Sequence, residues 1–443
     1  MHTRLRRMAD EVLFFFAASS FAGAYINVPM RLGSEDIERG GTNPYNTMAM
    51  AAILGGVIVL GAADWRRLIV VARQAQLVNL FILLAAISAI WSFDPAVTLR
   101  RVLTLSTTIA FSYYALVRFP MTGIIRRIAV VTFVSAVASA AVAVGAPEIG
   151  VMDEGNLAGD WNGVFTHKQE LGWTMFLGAL CLVWLCTQDK GWRRMAYYLG
   201  IVIFLGCIVM AKSDTSLLSV AILPAVIAFT LIARLSRVAR IWAAYAFVMA
   251  AIASAATVAL NLDAVMAFID RDVTLTGRVP LWGVLLELVA ERPWTGYGYG
   301  AFWLETNPTA HYIWDVIGWP APEAHNSYVD LLIQVGIPGT LLSTMILFGT
   351  VRSGLAAVAD RVPWATFAAC YVIILAMTNL VETMLFHAGD IQCLMLPMLY
   401  VALRLHQSDT ARLLAGAERP GRRGAHQRRL DLVLGSTAQQ PIR

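Results

Sequence analysis

Charge is what this chain most lacks. Asp, Glu, Lys and Arg make up 14% of its 443 residues against 58% hydrophobic, where a soluble domain draws about a quarter of its residues from those four. So little charge cannot cover a water-exposed surface of this size. Soluble folds are excluded and a bilayer is the expected solvent, in keeping with a mean hydropathy of +0.64. The net charge is only +5, and the basic residues are spread by topology rather than gathered into a patch, which excludes a nucleic-acid partner. Cysteine is scarce and odd in number. Cys181, Cys186, Cys207, Cys370 and Cys393 fall in or beside apolar runs without metal-ligand spacing, so they read as small buried hydrophobes, with a disulfide or reactive thiol as the alternative. There is no internal repeat of the transporter kind and no low-complexity segment before the C-terminal tail.

What the chain has in abundance is long apolar runs, each of about 17 to 24 residues and so able to cross a hydrocarbon core roughly 30 Å thick. About twelve are found, near 12–28, 47–63, 69–91, 100–117, 128–146, 171–187, 196–211, 216–233, 241–260, 328–351, 364–385 and 390–405. The third carries Arg73 and Gln76, and the fourth opens on Arg100 and Arg101. Arg4, Arg6 and Arg7 precede the first run, which contains Ala22-Gly23-Ala24; a cleaved signal peptide is one reading, but an uncleaved span fits the orientation of the rest. Loops bearing Arg66 and Arg67, Arg126 and Arg127, Lys190 with Arg193 and Arg194, Arg234 with Arg237 and Arg240, and Arg352 with Arg361 alternate with loops bearing Glu35 and Asp36, Asp94, and Asp153 with Glu154 and Asp160. By the positive-inside rule the basic loops and both termini are cytoplasmic.

The expected fold is therefore an all-α integral membrane protein of about 12 transmembrane helices with a large periplasmic loop between helices 9 and 10. Residues 1–260 hold helices 1–9, 261–327 the loop, 328–405 helices 10–12, and 406–443 a basic tail. That tail, with Arg419, Arg422, Arg423, Arg428 and Arg429, is expected to be disordered against the anionic inner leaflet.

A loop of this length is where function is expected. Within it Pro280 opens a helix whose Leu281, Val284, Leu285 and Leu288 share one face, and Pro293 ends it. Arg278 then stands at the mouth of that helix, where a guanidinium and free backbone N–H groups can hold an anion together. Gly296-Tyr297-Gly298-Tyr299-Gly300-Ala301-Phe302-Trp303 follows. Tyr297, Tyr299 and Trp303 offer flat faces that suit sugar rings, and an interfacial aromatic belt is the alternative. Ser327 and Asp330 have capping-box-like spacing, which puts His325 just outside a helix N-terminus. The partial positive charge there opposes protonation and keeps the imidazole able to accept a proton, unless the histidine merely completes the cap. Gly336, Pro338 and Gly339 interrupt the same span, as a kink beside a cavity or as small residues at a helix contact would. Thr166-His167-Lys168 and Lys212-Ser213-Asp214-Thr215 bring cations to the outer face, where an anionic partner or snorkelling would explain them.

Together these pieces resemble the O-antigen ligase and polymerase superfamily of bacterial envelope proteins. The resemblance rests on His325-Asn326, nine residues, Gly336, two residues and Gly339, on Arg278 with Leu281 and Trp282, and on the Pro293 to Trp303 segment. It spans roughly residues 160–340, and Gly163-Val164-Phe165-Thr166-His167-Lys168 with Lys212-Ser213 is most similar to the exopolysaccharide polymerase branch. Two departures stand out: Gln169-Glu170 follows the His-Lys pair where the family often has Asn, and Asp214 replaces a basic residue.

The resemblance implies a GT-C-like glycosyltransferase of the bacterial inner membrane. Its donor would be an undecaprenyl-diphosphate-linked oligosaccharide, its acceptor a glycan or lipid A core, and its surroundings membrane lipid and other polysaccharide assembly proteins. Arg278, Lys212, Lys168 and His167 would bind the diphosphate, His325 would act as base, Asn326 would position it, and Glu323 would assist as base or orienter. A polymerase of repeat units, a ligase of finished polymer and a flippase of lipid-linked sugar remain the three readings. Asp270-Arg271-Asp272 resembles the metal-binding Asp-x-Asp of nucleotide-sugar enzymes. Such pairs are frequent by chance and the outer face offers no nucleotide sugar, so no metal or cofactor is expected.

Overall fold

The computed structural model describes residues 2–23, 44–153, 155–236 and 277–416, with a few positions between 238 and 249. Glu35 and Asp36, Glu154, Arg237 and Arg240, most of the ninth expected span (241–260), Asp270-Arg271-Asp272 and the tail beyond 416 lie outside the described residues. The described residues form helices and connectors with no strand, apart from one isolated antiparallel bridge between Val151 and Trp161.

In chain order the helices are α1 (His2–Phe21), α2 (Pro44–Gly61), α3 (Trp65–Gln74), α4 (Gln76–Ile87), α5 (Pro95–Arg118), α6 (Met121–Gly145), α7 (Lys168–Gln188), α8 (Trp192–Met210), α9 (Asp214–Ile232), α10 (Arg278–Glu291), α11 (Pro308–Ile317), α12 (Ser327–Ala359), α13 (Ala365–Thr378) and α14 (Ile391–Gly416). Six helical stretches among the described residues are long and apolar enough to cross a membrane: Tyr45–Gln74, Met121–Gly145, Lys168–Gln188, Trp192–Met210, Asp214–Ile232 and Ser327–Ala359. The third expected span, 69–91, is split instead into α3 and α4, because Ala75 leaves helical geometry at φ −100°, ψ 29°. The eleventh, 364–385, is helical only to Thr378, and the remainder forms a connector, 379–390, that reaches into the site described below.

Polar contacts sort into two opposite ends of the bundle. At one end Asp64 takes Arg6 at 2.5 Å and Arg118 at 3.0 Å, Asp10 takes Arg118 and Tyr114, Arg127 meets Glu11, and Arg126 meets Asp189 at 2.7 Å. All of these groups come from the segments expected on the cytoplasmic side. At the other end Trp91 donates to the Thr295 carbonyl, Lys168 meets Asp160, Thr215 donates to Glu382 and Arg278 to the Val381 carbonyl. Segments expected on the same side therefore meet one another.

Local chemistry sets the helix ends. Asp94 caps α5 by accepting from the Val97 N–H at 3.0 Å, with Pro95 in the first turn. The leucine face expected on α10 is present: Leu281, Leu285 and Leu288 are buried with Phe302, Ile313, Ala321, Ala324 and Ile333 in a small core separate from that of the bundle. Helix α10 begins at Arg278 rather than Pro280, after Gly277 at φ 83°. Pro280 still falls in the first turn, where a missing N–H costs nothing. The five cysteines are buried and free.

Inside α12, Gly336 breaks the helix at φ 66°, ψ −170°. The backbone groups around the break are met by protein: Ile337 N–H donates to the Pro293 carbonyl at 2.8 Å, Tyr297 N–H to Ile333 at 2.8 Å and Gly298 N–H to Gln334 at 2.9 Å. A Cβ on Gly336 would lie 2.6 Å from the Trp294 carbonyl carbon, and one on Gly296 2.6 Å from the Gln334 carbonyl. The two glycines thus permit backbone to lie on backbone.

Candidate active site

The N-terminus of α12 carries the histidine. Asn326 is the cap, its Oδ1 accepting from Tyr328 N–H at 3.0 Å and Val329 N–H at 3.2 Å. This corrects the expected cap at Ser327, whose hydroxyl is instead buried against Asn379 and the Met384 N–H. Asp330, the expected partner of that cap, accepts from Trp303 Nε1 at 2.8 Å and from Gln334. With Asn326 serving as cap, His325 is spared that duty. Its backbone sits at φ 48°, a left-handed conformation that costs a non-glycine residue about 1 kcal/mol or more and that clusters at functional sites. The ring stacks on Trp319, centroids 6.0 Å apart, and Nδ1 lies 3.2 Å from Glu323 Oε1 without the alignment of a hydrogen bond.

Connector 379–390 closes the site from the far side. Glu382, a buried carboxylate, accepts from Thr215 Oγ1 at 3.0 Å and lies 3.9 Å from Arg278 Nη2. Arg278 also donates to the Val381 carbonyl at 2.7 Å, and Asn326 Nδ2 to Leu380 at 3.1 Å. Burial pushes the Glu382 carboxyl above its usual range and Glu323 adds to the rise, with Arg278, His325 and Thr215 opposing it. Glu382 was hidden from sequence reading inside an expected span. Its signal was available, since an ionisable side chain in an apolar run is a functional candidate by default.

The third wall comes from α7, α9 and the segment before α7. Asp160 is buried and holds both lysines: Lys168 Nζ at 2.6 Å and Lys212 Nζ at 2.9 Å. Burial alone would raise the Asp160 carboxyl, but the two ammonium groups carry it below the usual range. His167 caps α7, its Nδ1 accepting from Gln169 N–H at 3.2 Å. Burial and then Lys168 hold that imidazole below its ordinary pKa, so it faces the site as a neutral N–H donor rather than as a cation. Gln169, a departure from the family pattern, takes hydrogen bonds from Ser213 and Thr215 and so joins α7 to α9.

Arg278, Glu323, His325 and Asn326 therefore gather around connector 379–390, and the segments that carry Lys168 and Lys212 adjoin them through His167 and Thr215. The aromatic segment divides. Tyr299 is 3% exposed and donates to the Phe386 carbonyl at 2.5 Å, so it has no face open to a sugar and packs as core. Tyr297 donates to Leu288 and Glu291 and lies under Arg292, and Trp303 is half-buried. Glu323, His325 and Glu382 bring one donor atom each within 4.8 Å of one another, a spacing that could hold a metal ion. The Arg278 guanidinium already faces Glu382 there and disfavours a cation.

Residues 199–344 match the family model described as O-Antigen ligase, a range that takes in Lys212, Arg278, Glu323, His325, Gly336 and Gly339. The chain is also similar to the exopolysaccharide production protein ExoQ of Rhizobium meliloti (strain 1021), 25% identical over 320 residues that cover 68% of this chain and 70% of the relative. Both matches support the resemblance to the O-antigen ligase and polymerase superfamily drawn from the His325 segment.

Proposed function

We propose that the protein is a membrane glycosyltransferase that moves an undecaprenyl-diphosphate-linked glycan onto an acceptor hydroxyl at the periplasmic face, polymerising repeat units of an exopolysaccharide or O-antigen. The observation that carries this reading is that Arg278 and His325 gather at Glu382 and that the Lys168–Asp160–Lys212 cluster adjoins them through Thr215 and His167, from segments far apart in sequence.

The chemistry follows from charge. A diphosphate is a good leaving group that requires neutralisation more than protonation, and fixed cations in a partly dry site supply it. The acceptor oxygen attacks the anomeric carbon and the glycosyl C–O bond breaks. The bonding pair leaves with the lipid diphosphate, and the acceptor proton passes to a His325 ring nitrogen. One displacement inverts the anomeric carbon. Glu323 beside Nδ1 stabilises the imidazolium that forms, and Glu382 positions Arg278.

Incubating purified protein with a synthetic lipid-linked oligosaccharide and weighing the products by mass spectrometry tests the reading. Multiples of the repeat unit still bearing the lipid are expected, and loss of them in His325→Ala. Transfer only to lipid A core would make the protein a ligase. Transfer intact in His325→Ala with lipid movement blocked would make it a transporter.

A further inference from the structure

A second cationic feature lies apart from His325. Helices α2 and α5 enclose a groove of about 550 Å³ lined by Met50, Leu54, Ile58 and Leu103, with Arg100 and Arg101 among its walls. Among the described residues neither arginine has a carboxylate partner. The two belong to the same end of the bundle as His325. A Cβ on Gly300 would lie 2.5 Å from Arg101 Cδ, one on Gly389 3.4 Å from Thr104 of the groove, and Asp330 and His387 lie within electrostatic reach of Arg101. An apolar trough crowned by two unpaired guanidiniums complements an amphiphile with a long hydrocarbon tail and two linked phosphates.

Resting on the glycosyl-transfer reading above, we infer that this groove is a second polyisoprenyl-diphosphate site, which anchors the lipid of the acceptor chain while the donor lipid occupies the Lys168, Lys212 and Arg278 site. None of the residues around His325 lines the groove, and beside Arg101 the rings of Tyr299, Phe81 and Phe386 pack on one another, with Phe81 and Phe386 stacked at 4.2 Å. An acceptor requires that separation, because its reacting hydroxyl is on the sugar farthest from its own lipid. Connector 379–390 touches both sites. Glu382 and Gly389 are seven residues apart, at most about 25 Å of extended chain, which an oligosaccharide can bridge.

Native mass spectrometry of the full chain titrated with undecaprenyl diphosphate tests this. Wild type is expected to bind two equivalents, Arg100→Gln/Arg101→Gln one, and Arg278→Gln/Lys212→Gln the other one. The equivalent retained by each variant also shows that it is folded. One equivalent in wild type, or two in Arg100→Gln/Arg101→Gln, overturns the inference while leaving the transfer reading standing. So does displacement of the second equivalent by equimolar phosphatidylglycerol, which makes the groove a phospholipid site. A second equivalent seen only when residues 24–43 are deleted likewise overturns it, the groove then belonging to that segment. Failure of glycan transfer with two equivalents bound would defeat the transfer reading instead.

Discussion

Asp160→Asn separates the two jobs of the lysine pocket. The carboxylate side chain is 4% exposed and its partner Lys168 12%, so the substitution leaves a nearly buried ammonium without its counter-charge. Removing one member of a buried pair costs about 3 to 5 kcal/mol. Lys212 is 65% exposed, and its share of the pair is below about 1 kcal/mol. A total of about 3 to 5 kcal/mol is expected, read as a shift in an equilibrium denaturation curve in mixed micelles. Adding Lys168→Met removes the stranded charge and should restore about 2 kcal/mol or more, because an absent pair is far cheaper than a broken one. Meanwhile the single variant raises the local charge by one, so inorganic diphosphate should bind it more tightly than wild type. A loss below about 1 kcal/mol, a double variant no more stable than the single, or unchanged diphosphate affinity would refute this account of Asp160.

Further outcomes follow from the same site. His325→Ala should lower kcat by about 10² to 10⁴ with little change in the denaturation midpoint, since Asn326 keeps the cap; a large fall in stability would return His325 to a structural role. Glu382→Gln should cost about tenfold in kcat/KM, mostly in KM for the donor, because Arg278 loses its acidic neighbour; an effect on kcat alone would move Glu382 into the chemistry. Transfer should survive strong chelation, and a loss restored by magnesium or manganese would assign the Glu323, His325 and Glu382 cluster to a metal. His167 resists protonation in the fold while the unfolded chain takes a proton near its ordinary pKa of about 6.5. Stability should therefore fall as pH drops below that value toward the lowered folded pKa, and His167→Gln should flatten the slope over that window.

Much of the frame was legible because bilayer physics writes itself into composition. The alternation of arginine-bearing and acidic loops put on one side segments that meet in the fold, as Arg6 with Asp64 and Arg127 with Glu11 do. The α10 leucines were legible from a helical period. Three things were not. Tyr299 was offered as a sugar face because a glycine-rich turn leaves side-chain direction undetermined, and only the docking of residues 296–298 on α12 turns that ring inward. The roles of His325 and Asn326 could not be separated by spacing, since either can follow a loop into a helix; the hydrogen bonds of Asn326 decide it. Asp160 and its lysines meet across a fold that no local pattern encodes. A compositional signal was nonetheless present: the chain has only three lysines, Lys168, Lys190 and Lys212, and two of them share one carboxylate.

The recognisable glycines do a different job from the residues they accompany. Gly336 is no ligand; it lets the backbone of Pro293 and Trp294 lie against α12 where a side chain would collide. The residues from Ser327 to Val335 become a short helix held separately from the rest of the span, clamped through the carbonyls of Ile333 and Gln334. Asn326 and His325 ride at its free end, and the opposing connector ties that end down through Leu380 and Asn379. His325 is therefore located by two clamps, one on the segment 293–298 that follows the helix of Arg278 and one on the connector that carries Glu382. His325, Arg278 and Glu382 are thereby held in one place, and the segment that carries Lys212 reaches them through Thr215. The spacing between histidine and glycine in the sequence is the length of that clamped helix. It is a mechanical dimension of the site rather than a list of substrate contacts.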